Sequence, residues 1–158
     1  MNSNPNQTTL LLKAQAYFKS GVVKSNLQDY EGAITDFNKA TEISPNYATS
    51  YYNRAFLKIK LQDDRGAIID FSKAIALDLK DAIPYYYINA YHNRANAKYR
   101  LKEYLSAVVD YSKAILLKPT FATAYYKRGL CKIELNKETE GRIDISKAKE
   151  LGYKIREK

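Results

Sequence analysis

The sequence predicts an all-α solenoid of four stacked helix pairs, and three observations carry that expectation. One stretch is written four times: Gly32 to Ile43 (GAITDFNKATEI), Gly66 to Leu77 (GAIIDFSKAIAL), Ser106 to Leu117 (SAVVDYSKAILL) and Glu140 to Leu151 (EGRIDISKAKEL). The copies begin 34, 40 and 34 residues apart, a period typical of stacked supersecondary units rather than one closed globule. Within a copy the apolar residues recur at helical intervals: Ala67, Ile68, Phe71, Ala74 and Ile75 form a stripe, with Asp70 and Lys73 elsewhere on the helix. Every copy has Asp in its fifth place (Asp36, Asp70, Asp110, Asp144) and Lys-Ala in its eighth and ninth.

One amphipathic helix cannot bury its stripe alone. A second apolar segment precedes each copy, at Ala14 to Leu27, Ala48 to Leu61, Ile88 to Leu101 and Ala122 to Leu135, so the unit is a helix pair. Small residues stand where the paired helices come closest: Gly21 facing Ala33, Ala55 facing Ala67, Ala95 facing Ala107 and Gly129 facing Gly141.

In chain order, residues 1–8 read as a disordered polar tail containing Pro5, followed by a first helix capped by Thr8 or Thr9 and carrying Leu10, Leu11 and Leu12. The repeats occupy about 14–47, 48–81, 88–121 and 122–152, all within one domain spanning 9–152. Six additional residues, Ala82 to Tyr87 (AIPYYY), separate the second and third. With Asp81 as cap and Pro84 in the first turn, they lengthen the third pair's first helix by roughly 9 Å. In the last copy Arg142 and Lys149 replace the apolar residues on which a further repeat would stack. Gly152 is placed to end that helix, and Tyr153 to Lys158 form a basic tail.

The period of 34, an aromatic with a small residue four places on (Tyr17 and Gly21, Tyr51 and Ala55, Tyr91 and Ala95, Tyr125 and Gly129), the Ala-x3-aromatic-x2-Ala of the second helix, and the closing Pro45 and Pro119 resemble the tetratricopeptide repeat. The resemblance covers about residues 14 to 151, with Leu79 and Tyr153 where Pro is expected and Gly141 and Ile145 departing in the last copy. It implies a right-handed α-solenoid of four helix-turn-helix units, the third with a lengthened first helix, whose first helices line a concave binding face. Carried onto this sequence, that face includes Phe18, Lys19 and Val22; Tyr52, Asn53 and Phe56; Asn89, His92, Asn93, Asn96, Tyr99 and Arg100; and Tyr126 and Lys127. Asparagine pairs with both backbone groups, aromatics hold apolar side chains and cations receive carboxylates. The face is therefore expected to bind a peptide or protein segment with acidic groups, as a scaffold or adaptor. The carboxylate clamp of some chaperone-binding members is not matched: of Tyr52, Phe56, Asn93, Thr123 and Lys127, only Asn93 and Lys127 fit its pattern.

The net charge of +9 makes RNA the alternative ligand, with Tyr52, Tyr99 and Tyr126 as stacking platforms. Against it, Lys39, Lys73, Lys113 and Lys147 repeat on the second helices as a solvated outer face. Self-association through Leu10, Leu11 and Leu12 or through Tyr85, Tyr86 and Tyr87 is compatible with either ligand. An enzyme is not expected: His92 is the single histidine, Cys131 is distant from it in the repeat frame, and no phosphate loop or metal-ligand spacing occurs. No cofactor is expected. Arg54, Arg94 and Arg128 are assigned to ion pairs with the repeated Asp residues, although spacing alone leaves open whether Arg54 meets Asp36 or Asp70. One cysteine excludes an internal disulfide, and the apolar run Leu10 to Leu12 is too short to span a membrane, so a cytoplasmic setting is the expectation.

The repeat frame makes a direct prediction. Ala67→Leu overpacks the helix contact and lowers stability by about 1 to 3 kcal/mol in denaturant titrations, whereas Lys73→Leu changes it little.

Overall fold

The computed structural model describes residues 5–77 and 84–154, and among these every regular element is a helix. The helices are α1 (Pro5–Asn26), α2 (Tyr30–Ile43), α3 (Ala48–Lys60), α4 (Asp64–Ala76), α5 (Pro84–Arg100), α6 (Tyr104–Leu117), α7 (Ala122–Glu134) and α8 (Glu138–Glu150). The chain divides into two compact units, residues 1–83 and 84–158. The division falls at the six-residue interruption of the period. Each unit holds two helix pairs, α1 to α4 in the first and α5 to α8 in the second.

Local chemistry sets the helix ends. Every first helix stops on a residue in the left-handed region: Gln28 (φ 64), Gln62 (φ 62), Lys102 (φ 61) and Asn136 (φ 59). The amide of the following residue then reaches back five places, Asp63 N–H to the Lys58 carbonyl at 2.8 Å and Glu103 N–H to Lys98 at 2.9 Å, which satisfies carbonyls that the helix leaves open. Asp29 and Asp63 cap the next helix, each accepting from a glycine amide, Gly32 at 3.0 Å and Gly66 at 2.9 Å. A side chain on either glycine would run into the capping carboxylate, which accounts for the glycine opening two of the four copies. Gly152 (φ 86) ends α8 in the same way, with Tyr153 N–H bonded to the Ala148 carbonyl at 2.9 Å.

The structure bears on three expectations about the ends. Helix α1 begins at Pro5, so residues 5–8 are helical and Thr8 and Thr9 lie inside the helix instead of capping it. Proline is tolerated at a first helical position because its missing N–H has no partner there anyway. Residues 1–4 and Asp81 lie outside the described residues. The 17 described residues of helix α5 exceed the 13 of α3 and α7 by four, so roughly 6 Å of the expected lengthening falls within the described residues, and Ala82 and Ile83 lie outside them. Tyr153 is packed rather than part of a loose tail: its ring stacks on Tyr126 with centroids 4.5 Å apart and planes at 25°.

Packing follows the repeated small residues. Ala33, Ala55, Ala67, Ala95 and Ala107 are all fully buried. Phe37 and Leu57 centre the first unit's core, flanked by Phe18, Val22, Tyr30 and Ile34; Tyr111, Ile115 and Cys131 centre the second's, flanked by Tyr99, Tyr104, Val108, Phe121 and Tyr125. In the last pair the two backbones are in close contact: a Cβ on Gly129 would lie 2.7 Å from the Gly141 carbonyl oxygen and one on Gly141 would lie 2.7 Å from that of Gly129. Gly21 meets the Phe37 ring, at 2.8 Å from such a Cβ, so its role is to admit that ring.

The charged residues settle the pairing left open by spacing. Arg54 grips Asp70 of its own repeat, Nε to Oδ2 at 2.8 Å and Nη2 to Oδ1 at 2.6 Å. Arg94 with Asp110 and Arg128 with Asp144 repeat the same two distances. A lysine completes each site: Lys58 on Asp70 at 2.8 Å, Lys98 on Asp110 at 2.8 Å and Lys132 on Asp144 at 2.9 Å. The fourth aspartate, Asp36, takes Ser20 and Lys24, each at 2.7 Å.

Burial alone would favour the neutral form of Asp144, but the hydrogen bonds from Arg128 and Lys132 outweigh it and hold the carboxyl below its ordinary value of 3.8. A carboxylate depressed in the fold stabilises the protein above that ordinary value, and its contribution is lost as pH falls through the folded pKa. Asp144→Asn leaves both cations without their carboxylate and costs up to about 3 kcal/mol at neutral pH. Urea titrations should also show the variant's stability varying less than the wild type's between about pH 5 and pH 2.

Candidate functional site

In the first unit, packing takes up much of the predicted face. Phe18 lies 5.7 Å from Phe37 and 5.1 Å from Tyr47, ring centre to ring centre, and Val22 flanks the same core. Tyr52 is only 7% exposed and packs edge-on to Phe71 at 5.7 Å, so it is a core residue rather than an open platform. Asn53 gives its amide N–H to the Thr49 carbonyl at 2.8 Å, one turn back in its own helix. Phe56 remains exposed, with the Lys60 ammonium 5.5 Å from its ring centre, and Lys19 is also exposed.

In the second unit the remaining predicted residues lie on α5 and α7. The Lys127 ammonium lies 5.3 Å from the centre of the Tyr99 ring, within cation–π range, and Tyr99 in turn packs on Tyr104 at 5.5 Å. Asn89 donates to the Tyr85 carbonyl at 2.7 Å, and Asn96 accepts from the Tyr111 hydroxyl at 2.8 Å. Asn93, half-buried, forms no hydrogen bond among the described residues, leaving both sides of its amide open. Arg100 is exposed. Tyr126 is covered on one face by Tyr153, a member of this surface that the sequence reading placed in the tail. The signal was its position, because Tyr153 stands where Pro45 and Pro119 close earlier repeats.

His92 is not an open contact. It is 8% exposed, lies between Phe121 at 4.6 Å and Tyr111 at 5.6 Å, and its Nδ1 forms no hydrogen bond. Burial, aided by the charge of Lys127, pushes its pKa down to about 4. The Cys131 thiol is buried and pushed up to about 11, which keeps it protonated and unreactive at neutral pH. Among the described residues no group of three or more His, Cys, Asp or Glu could hold a metal ion, and no helix is long and apolar enough to cross a membrane. The arrangement offers an aromatic and cationic surface with one uncommitted amide.

Family models described as TPR repeat match residues 26–62 and 95–132, and one described as tetratricopeptide repeat matches 48–81. The chain is a tetratricopeptide repeat protein. Solved structures with this fold include MamA, at TM-score 0.79 and 24% identity over 87% of this chain and 77% of that one. The Arabidopsis OM64 TPR domain aligns at TM-score 0.69 and 23% identity, over 79% and 98% of the two chains. The first TPR of Spaghetti (RPAP3), bound to the HSP90 peptide SRMEEVD, aligns at 0.70 and 24%, over 79% and 94%. At these identities the likeness establishes the fold of this tetratricopeptide repeat protein and no more. No curated protein sequence matches it significantly.

The single histidine gives the site a clean spectroscopic test. With a folded pKa near 4 against an ordinary value of about 6.5, the unfolded chain protonates first, so His92 lowers stability progressively as pH falls between those values. Its ring C–H resonance should titrate with a midpoint near 4; a midpoint near 6.5 would place the ring in water.

Proposed function

We propose that this protein is a non-enzymatic interaction module whose first-helix surfaces hold a segment of another protein, acting as a scaffold or adaptor. The observation that carries this reading is the open Asn93 amide on the same two-helix surface as Lys127 and Tyr99. An amide with donor and acceptor both free suits the backbone of an extended or helical segment, and Lys127 suits a carboxylate on it. That a similar domain, the first TPR of Spaghetti, holds a peptide supports the class of ligand. The clamp pattern for an acidic C-terminus is not reproduced, since Phe56 and the buried Tyr52 stand at two of its polar positions.

The RNA alternative is weakened by how the charge is used. Arg54, Arg94 and Arg128, together with Lys24, Lys58, Lys98 and Lys132, are committed to four aspartates, so three of the nine net positive charges sit inside the helix pairs and not on a surface open to phosphates.

Losing a hydrogen bond to a charged group costs about 1.5 to 3 kcal/mol. Asn93→Ala with Lys127→Ala should therefore weaken a captured protein ligand at least tenfold while circular dichroism shows the fold intact. Nuclease treatment should leave capture unchanged, and SRMEEVD should bind without clamp-like affinity. A folded double variant that keeps every partner, or capture abolished by nuclease, would overturn the reading.

A further inference from the structure

Repeat one departs from the other three at a chemically informative place. In repeats two to four the arginine that grips the aspartate also lies over a tyrosine of its own helix: Arg54 over Tyr51 at 5.2 Å, Arg94 over Tyr91 at 5.4 Å and Arg128 over Tyr125 at 5.3 Å. Repeat one keeps the tyrosine, Tyr17, and the aspartate, Asp36, but Ser20 stands in the arginine's place. A pocket of about 290 Å³ opens there, lined by Lys13, Ala16, Tyr17, Ser20 and Asp36.

The vacancy is selective at the level of single atoms. Asp36 is 4% exposed, and Ser20 and Lys24 both bond to its Oδ2. Its Oδ1 accepts nothing among the described residues, whereas in each other repeat that same oxygen receives the arginine Nη2 at 2.6 Å. Burial works against ionisation of Asp36, but the Lys24 and Ser20 hydrogen bonds prevail and keep it charged. Three sites in one chain thus show what fits a tyrosine face beside this carboxylate.

We propose that the pocket receives the guanidinium of an arginine carried by another protein, bordered there by acidic residues. The planar fork spans the open oxygen and the ring together, displacing the Lys39 ammonium that now lies 5.2 Å from the ring centre. The acidic neighbours follow from Lys13 on the pocket wall and from Lys39, exposed and 5.2 Å from the Tyr17 ring centre with no carboxylate partner among the described residues. A bare cation would meet both charges; an arginine flanked by glutamates gives each a partner. The pocket lies on a different face of α1 from Phe18, Lys19 and Val22, so the inference does not rest on the function proposed above.

The probe is an acetylated, amidated Glu-Ala-Arg-Ala-Glu peptide titrated into the full chain, beside a counterpart in which uncharged citrulline replaces arginine. Backbone amide shifts of Tyr17, Ser20 and Asp36 report the pocket. The arginine peptide should give saturable shifts, the citrulline peptide should bind at least tenfold more weakly, and Ser20→Arg should weaken the arginine peptide at least tenfold by supplying the guanidinium internally. Absence of saturable shifts, equal affinity for the two peptides, or undiminished binding by Ser20→Arg would overturn the proposal. Folding gives an independent reading: Ser20→Arg should raise the melting temperature by about 2 to 4 °C, and an unchanged or lowered value would show that the pocket does not accept the group.

Discussion

A carboxylate buried in the middle of every helix pair is the constraint on which the rest depends. Asp70, Asp110 and Asp144 retain between 2% and 6% of their side-chain exposure, and a charge so placed must be matched by opposite charge and hydrogen bonds. The match comes from the partner helix, an arginine and, one turn further along, a lysine. Sliding one helix along the other would leave both cations off the carboxylate, so the pair sets the register in which the apolar stripes meet. Its contribution lies in that register more than in net stabilisation, since desolvation offsets much of the Coulomb gain of a buried pair. The arginine also works between pairs. The Nη1 of Arg54 reaches Asn38 at 2.7 Å and Thr41 at 3.2 Å, and that of Arg128 reaches Ser112 at 3.0 Å, all on the second helix of the preceding repeat.

How near the helices come is set by separate residues. Alanines hold the contact in the two middle repeats, whereas the last pair has Gly129 against Gly141 and closes until backbone oxygens occupy the space of a methyl group. Glycine within a helix costs about 1 kcal/mol relative to alanine. In the last pair the closer approach of the two backbones is what offsets that cost. The same helix turns Arg142 and Lys149 to solvent, Arg142 pairing with Glu138 at 3.1 Å, so this close pair also has a polar outer face.

The period, the helix pairs and the arginine–aspartate pairing were legible in the sequence because each is a rule applied several times. Repetition turns a weak local signal into a strong one. What escaped reading was written only once or twice. The αL residues Gln28, Gln62, Lys102 and Asn136 share a position but not a chemistry, and none is the glycine that would announce it. Pro5 lies in helix α1 where a tail was expected, because a proline is tolerated in a first turn. Within the expected face, helical spacing could not separate contact from packing. Tyr52 and His92 obey the spacing and are nonetheless buried, since the neighbouring repeat supplies Phe71 to one and Tyr111 with Phe121 to the other.

That outcome bears on where a repeat protein keeps its specificity. A residue repeated in every unit is already satisfied by its neighbours: the position-five aspartates by cations, the stacked tyrosines by arginines, the small residues by one another. Only departures from the repeat leave chemistry unspent. Asn93 keeps an open amide where Asn53 uses its own on the backbone, and Tyr153 replaces a closing proline and covers Tyr126. Ser20 replaces an arginine and exposes a carboxylate oxygen made for one. On the readings proposed above, partner choice falls to the few positions at which one repeat differs from its siblings, and at Ser20 the other three repeats display the group that the gap lacks.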